Sequence, residues 1–195
     1  MREKHLYIAN VGDSRAVIGQ KIQLSSKDSA VKSFYVNKDL SIDQNPDSQG
    51  EQERIIKSGG FVSPPPEPGL SARVWLDEEC TQVGLAMSRS IGDHAVKDVG
   101  VIAEPVITEY EIDTNKDQFM ILASDGVWEF LESSDAVQIV AEYLELEIGS
   151  EKACQSLIES AAAKWHEFEG DYRDDITAII VNLKDLWGDR KIDSH

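Results

Sequence analysis

At 195 residues the chain is long enough for one domain with a real core, and 41% hydrophobic residues suit a soluble globular protein. A formal net charge of −17 argues against binding through a nucleic-acid backbone, which needs clustered Lys and Arg. No apolar run is long enough to cross a bilayer, none resembles a signal peptide, and Cys80 and Cys154 lack metal-ligand spacing. The expectation is an intracellular protein, cytoplasmic or nuclear, with free thiols and with neither a nucleic-acid nor a membrane partner.

In chain order, residues 5–10 and 14–24 read as strands, with Gly19-Gln20 as a hairpin turn inside the second. Polar residues dominate 25–33, which reads as a loop. Residues 51–58 form a short helical stretch that Gly59 and Gly60 can stop with positive φ. The proline-rich run 63–69 propagates neither helix nor central strand and reads as a stiff surface loop. Residues 102–112 alternate apolar and polar, with Pro105 placing them at an edge or bend. Residues 119–123 are continuous enough in apolar character for a buried strand. Ser133 or Ser134 can cap a helix presenting Val137, Val140, Ala141 and Leu144. Ser150 can cap another presenting Ala153, Leu157, Ile158, Ala161 and Trp165. Residues 176–183 read as the last strand. Strands early and late with two adjacent helices between them point to an α+β fold rather than alternating βαβ units.

The most informative segment is Ser124-Asp125-Gly126-Val127-Trp128-Glu129. A buried strand stops there at a carboxylate, and glycine permits the sharp turn that follows. Gly12-Asp13-Ser14-Arg15 and Arg173-Asp174-Asp175-Ile176-Thr177 repeat the pattern beside other strand-like runs. Carboxylates at strand ends suit hard cations such as Mg²⁺ or Mn²⁺, which take oxygen ligands. Two carboxylates held ~4 Å apart repel by ~4 kcal/mol at an effective dielectric near 20, so a converging set calls for a cation. Taken one at a time, each segment is also an ordinary Asx-turn.

The ordered set resembles the type 2C (PPM) metal-dependent serine/threonine protein phosphatases. The matching segments are residues 6–16 with Gly-Asp-Ser-Arg, 53–62 with a helix and glycine stop, and 85–93 with Ser-Arg-Ser-Ile-Gly-Asp. Ile102-Ala103-Glu104-Pro105, Ser124-Asp125-Gly126-Val127-Trp128 and Asp174-Asp175-Ile176-Thr177 complete the series over residues 6–183. The family's Asp-Gly-His-Gly-Gly motif, its acidic pair and its phosphate-binding arginine are not in this sequence. The resemblance therefore implies a partial catalytic domain over residues 1–195, with a flap-like insertion around 39–80. Its fold would be an antiparallel two-sheet sandwich flanked by helices, lacking amino-terminal strands.

By the same resemblance, Asp125 and Asp174 match carboxylates completing one metal of a two-metal site, and Asp13 with Asp125 matches a third, weaker one. Glu129 stands where the family often has Asp, and Asp175 where it commonly has Asn. The implied reaction is hydrolysis of phosphoserine or phosphothreonine in a phosphoprotein by a metal-activated water. No general-acid histidine is placed for it, since His5, His94, His166 and His195 lie in other settings. Arg73 would lie in the flap beside the site. Trp75 and Trp128 read as core or loop anchors, and Asp93 as a turn acceptor. Exposed strand edges would favour self-association. The other reading is a non-catalytic pseudophosphatase or interaction module that keeps the fold.

Overall fold

In the computed structural model, residues 4–24, 32–66 and 70–187 are described, and they divide into two compact units. The first comprises residues 1–6, 15–40 and 109–195; the second comprises 7–14 and 41–108.

The first unit is built on a four-stranded antiparallel sheet. Its strands are β2 (Arg15–Leu24), β3 (Lys32–Asp39), β8 (Asp117–Ala123) and β9 (Ala178–Asn182), in the order β3-β2-β8-β9. Helices α3 (Ser133–Glu145) and α4 (Ser150–Glu169) supply most of the rest of its core, with Val127, Trp128 and Leu131 between the sheet and α3 in sequence. Val17, Phe119, Ile121 and Ala123 from the sheet pack with Ala136, Val137, Val140 and Ala141 of α3 and Ala153, Leu157 and Ala161 of α4. The helical spacing of these residues, every three or four positions, is what makes one continuous apolar stripe per helix. Burying such side chains is worth roughly 1.5–3 kcal/mol each for the larger ones.

Gly19 and Gln20 do not turn the chain back. β2 runs straight through them, and the register with β8 shifts there: Gly19 faces Phe119, while Gln20 faces Asp117 and leaves Gln118 as the extra residue. A Cβ on Gly19 would sit 2.2 Å from the Phe119 ring, so glycine at this position makes room for a core aromatic. The bulge also re-aims Asp117, which accepts hydrogen bonds from Gln20 (2.7 Å), the Tyr110 hydroxyl (2.8 Å) and the Asp113 amide (2.8 Å). Burial and that Asp117 hydrogen bond together push the Tyr110 hydroxyl well above its ordinary pKa.

Neither long helix is capped by the serine that sequence suggests. Glu132 and Gly149 hold the N-cap positions without side-chain capping bonds. Ser133 is instead buried and accepts a hydrogen bond from Arg15 at 2.9 Å. Strand β3 had no counterpart in the sequence reading; its register, Val17 opposite Asp39 through Leu24 opposite Lys32, comes entirely from pairing with β2. The loop expected at 25–33 lies outside the described residues up to 31.

The second unit contains α1 (Glu51–Lys57) and a small three-stranded sheet of β4 (Phe61–Ser63), β5 (Arg73–Trp75) and β6 (Val83–Leu85). The α1 stop is a Schellman arrangement. Gly60 N–H donates to Ile55 O at 3.0 Å and Gly59 N–H to Ile56 O at 3.0 Å, with Gly59 at φ +86°. Ile55, Val74, Val96 and Val101 form its core. The remaining strands, β1 (His5–Asn10) and β7 (Val106–Glu111), make a two-stranded sheet. Pro105 stands immediately before β7, and Ile102 is limited to a single bridge with Arg89.

Candidate functional site

Ser124 follows the last residue of β8 and holds the N-cap position of the four-residue helix α2 (Asp125–Trp128). This strand end is tied to the segment leading into β9. Ser124 N–H donates to Thr177 O at 3.0 Å, and Thr177 N–H donates to Ser124 Oγ at 3.1 Å. The Ser124 hydroxyl in turn donates to Asp175 O at 3.2 Å. Gly126 completes the closure, since a Cβ there would lie 2.4 Å from Asp175 O and 3.1 Å from Ile176 Cα. Two acidic segments separated by some fifty residues therefore share one edge of the sheet.

Within that edge, Asp125 and Asp174 are half-buried and Asp175 is exposed. Asp174 Oδ1 accepts the Asp175 amide at 2.6 Å, which fixes its carboxylate close to its own turn. Glu129 follows Asp125 by one helical turn, and its amide donates to Asp125 O at 2.8 Å. Residues at that spacing share a helix face, which puts both carboxylates on the same side. Asp125, Glu129 and Asp174 offer oxygen donors, the kind that Mg²⁺ or Mn²⁺ takes. Among the described residues no three His, Cys, Asp or Glu side chains are grouped as a metal site. Asp13 belongs to the second unit, on the turn between β1 and β2, half-buried, with the Gln44 side chain accepting from Gly12 N–H at 2.7 Å.

Trp128 fixes the strand end that carries Asp125. Trp128 is buried and its indole donates to Ala123 O at 2.8 Å. Arg15 stacks over the Trp128 ring at 5.1 Å and reaches Ser133. In the small sheet of the second unit, the Trp75 indole donates to Ser63 Oγ at 2.9 Å, and Arg73 donates to Gly84 O at 2.6 Å. Asp93 takes a left-handed conformation (φ +47°) in front of a short 3₁₀ turn at His94–Val96, and His166 Nδ1 lies 3.0 Å from Gly170 O.

The sequence reading missed a buried charge cluster in the second unit. Glu51, at the start of α1, accepts from Ser88 Oγ (2.6 Å), Arg54 (2.8 Å) and Arg89 (2.6 Å to Oε1). Arg54 also donates to Gly100 O and Ser88 O, and Arg89 to Glu104 O. Burial alone would raise the Glu51 carboxyl, but the Arg89, Arg54 and Ser88 hydrogen bonds outweigh it and hold the group far below the usual carboxylate range. The available signal was an acidic residue at the first helical position together with a Ser-Arg pair downstream.

Residues 1–167 match the family described as Protein phosphatase 2C. The chain belongs to the protein phosphatase 2C family. It is 38% identical over 189 residues to probable protein phosphatase 2C 64 of Oryza sativa subsp. japonica, spanning 97% of this chain and 41% of that one. With probable protein phosphatase 2C 48 of the same organism, identity is 42% over 178 residues, 90% of this chain and 47% of the relative. The chain thus spans less than half the length of these two curated relatives. In fold it is similar to a serine-threonine phosphatase 2C from Toxoplasma gondii, with TM-score 0.72 and 23% identity over 93% of this chain and 55% of that one. The mixed arrangement of helices and antiparallel sheets agrees with that likeness.

Proposed function

We propose that this chain is the carboxy-terminal part of the catalytic domain of a metal-dependent protein serine/threonine phosphatase, acting on phosphoproteins. The observation carrying the reading is the locked edge where Ser124, Asp125 and Gly126 meet Asp174 and Asp175. Asp125 and Asp174 would hold Mg²⁺ or Mn²⁺, with Glu129 and Asp175 as auxiliary carboxylates. Asp13 enters through its place in the Gly-Asp-Ser-Arg motif alone. Such a cation, when bound, lowers the pKa of coordinated water and offsets charge on phosphoryl oxygens.

The chain's own residues have simpler tasks. Ser124 and Gly126 set the distance between the two acidic segments, and Trp128 holds the strand end that carries Asp125. Strands β4 and β5 take the part of the flap, the role the family resemblance gives to residues around 39–80. Phe34 and Ile179 are exposed on outer strands of the four-stranded sheet, which supports self-association of the isolated chain.

The test measures phosphate release from a phosphothreonine peptide, with and without chelator. The isolated chain is expected to show little or no turnover. A version extended at its amino terminus to the length of the relatives should turn over with Mn²⁺ and lose activity in Asp125→Ala. Extended protein that stays inactive with Mn²⁺ while folded would favour the non-catalytic module instead.

A further inference from the structure

Trp165 closes the buried stripe of the twenty-residue helix α4, and its indole N–H is directed to the Asp125 turn. It donates to Gly126 O at 2.7 Å, a buried bond across thirty-nine positions of sequence. A four-residue helix leaves most of its carbonyls without an intrahelical donor, so this one needs an outside partner. The same ring also touches the chain just ahead of the second acidic segment. Its neighbours are Phe130, edge-on at 4.8 Å, and Tyr172, edge-on at 5.8 Å, and Tyr172 stands two residues before Asp174. Phe130 in turn stacks on Phe168 at 5.0 Å. Trp165 is itself only 7% exposed, so its orientation is set by packing on every side.

We propose that Trp165 is a positioning residue that couples the two acidic segments, holding the Asp125 turn through its N–H and the Asp174 turn through its ring, so that divalent-cation affinity depends on it. The inference rests on the proposed use of Asp125 and Asp174 as cation ligands. The two contacts are of different kinds, and that separates positioning from mere packing. Phenylalanine at 165 keeps a ring against Phe130 and Tyr172 but has no donor for Gly126 O. Leucine at 130 disturbs the aromatic stack but leaves the indole bond in place.

The experiment compares wild type, Trp165→Phe, Phe130→Leu and Asp125→Ala by Mn²⁺ titration and by amide hydrogen exchange over residues 124–129. Losing one buried hydrogen bond corresponds to a factor of about five. Trp165→Phe should therefore exchange faster in that segment and bind Mn²⁺ about fivefold more weakly. Phe130→Leu should lower the urea midpoint but keep wild-type exchange at the turn and wild-type Mn²⁺ affinity. Wild-type exchange and affinity in Trp165→Phe would overturn the proposal, as would equal losses in both aromatic variants. Wild type and Asp125→Ala binding Mn²⁺ alike would bring down the cation reading beneath it. In that case faster exchange at the turn in Trp165→Phe alone would show the clamp without its proposed purpose.

Discussion

Replacing Gly126 by alanine tests the closure of the acidic edge with the smallest perturbation available. The added Cβ would lie 2.4 Å from Asp175 O, 3.0 Å from Asp175 C and 3.1 Å from Ile176 Cα, all backbone atoms with no rotamer to change. Ordinary contact starts at 3.4 Å, so the two segments would have to part by about 1 Å. That shift would stretch the Ser124–Thr177 bonds, now 3.0 and 3.1 Å, beyond useful geometry. Overpacking costs about 1–3 kcal/mol and each weakened hydrogen bond about 1 kcal/mol. Against this, alanine gains up to about 1 kcal/mol in helix propensity. The clash wins, and a net loss of about 2–4 kcal/mol is expected in urea denaturation. Mn²⁺ affinity should fall as well, because the acidic segments separate. The control is Gly59→Ala, where a Cβ meets nothing within 4 Å and the only cost is positive φ, about 1–2 kcal/mol with no effect on Mn²⁺. Gly126→Ala with a wild-type urea midpoint would refute the argument that close approach excludes a side chain there.

The Glu51 cluster predicts a loss of about 3–5 kcal/mol for Glu51→Gln, because Arg54 and Arg89 would keep their charges without the buried partner. Its pH signature has a definite sign. The folded carboxyl is depressed below its ordinary 4.5, so its stabilisation is present above that value and is lost as pH falls toward the folded pKa. Urea midpoints measured from about pH 5 down to about pH 3 should fall less steeply in Glu51→Gln than in wild type; parallel slopes would contradict the assignment. Gly19→Ala should cost about 1–3 kcal/mol through its 2.2 Å approach to the Phe119 ring. Adding Phe119→Leu should make Gly19→Ala cheaper than it is alone, and strictly additive losses in thermal denaturation would show that the ring is not what glycine accommodates.

Much of this protein is legible from one-dimensional patterns, because those patterns are what local physics reads. The apolar run from Phe119 to Ala123 is buried in β8, and the stripe Ala153, Leu157, Ala161, Trp165 is buried along α4. Gly59 stops α1 with the positive φ that glycine alone adopts cheaply. The order of short motifs was enough to place the chain in its family, since a strand ending in Ser-Asp-Gly is a local signature. What sequence could not decide were the properties that need a partner from elsewhere in the chain. Gly19-Gln20 reads as a turn until Phe119 and Asp117 are set opposite it, whereupon it becomes a bulge in a continuous strand. The polar segment from Lys32 to Asp39 becomes β3 only because β2 offers an unpaired edge. Glu51 looks like a solvated first-turn acid, and only the fold brings Ser88 and Arg89 to it. The same holds for Trp165. Its spacing announces a core residue, but the hydrogen bond to Gly126 is set by how α4 lies against the Asp125 turn, and side-chain direction at that distance is a property of packing rather than of sequence.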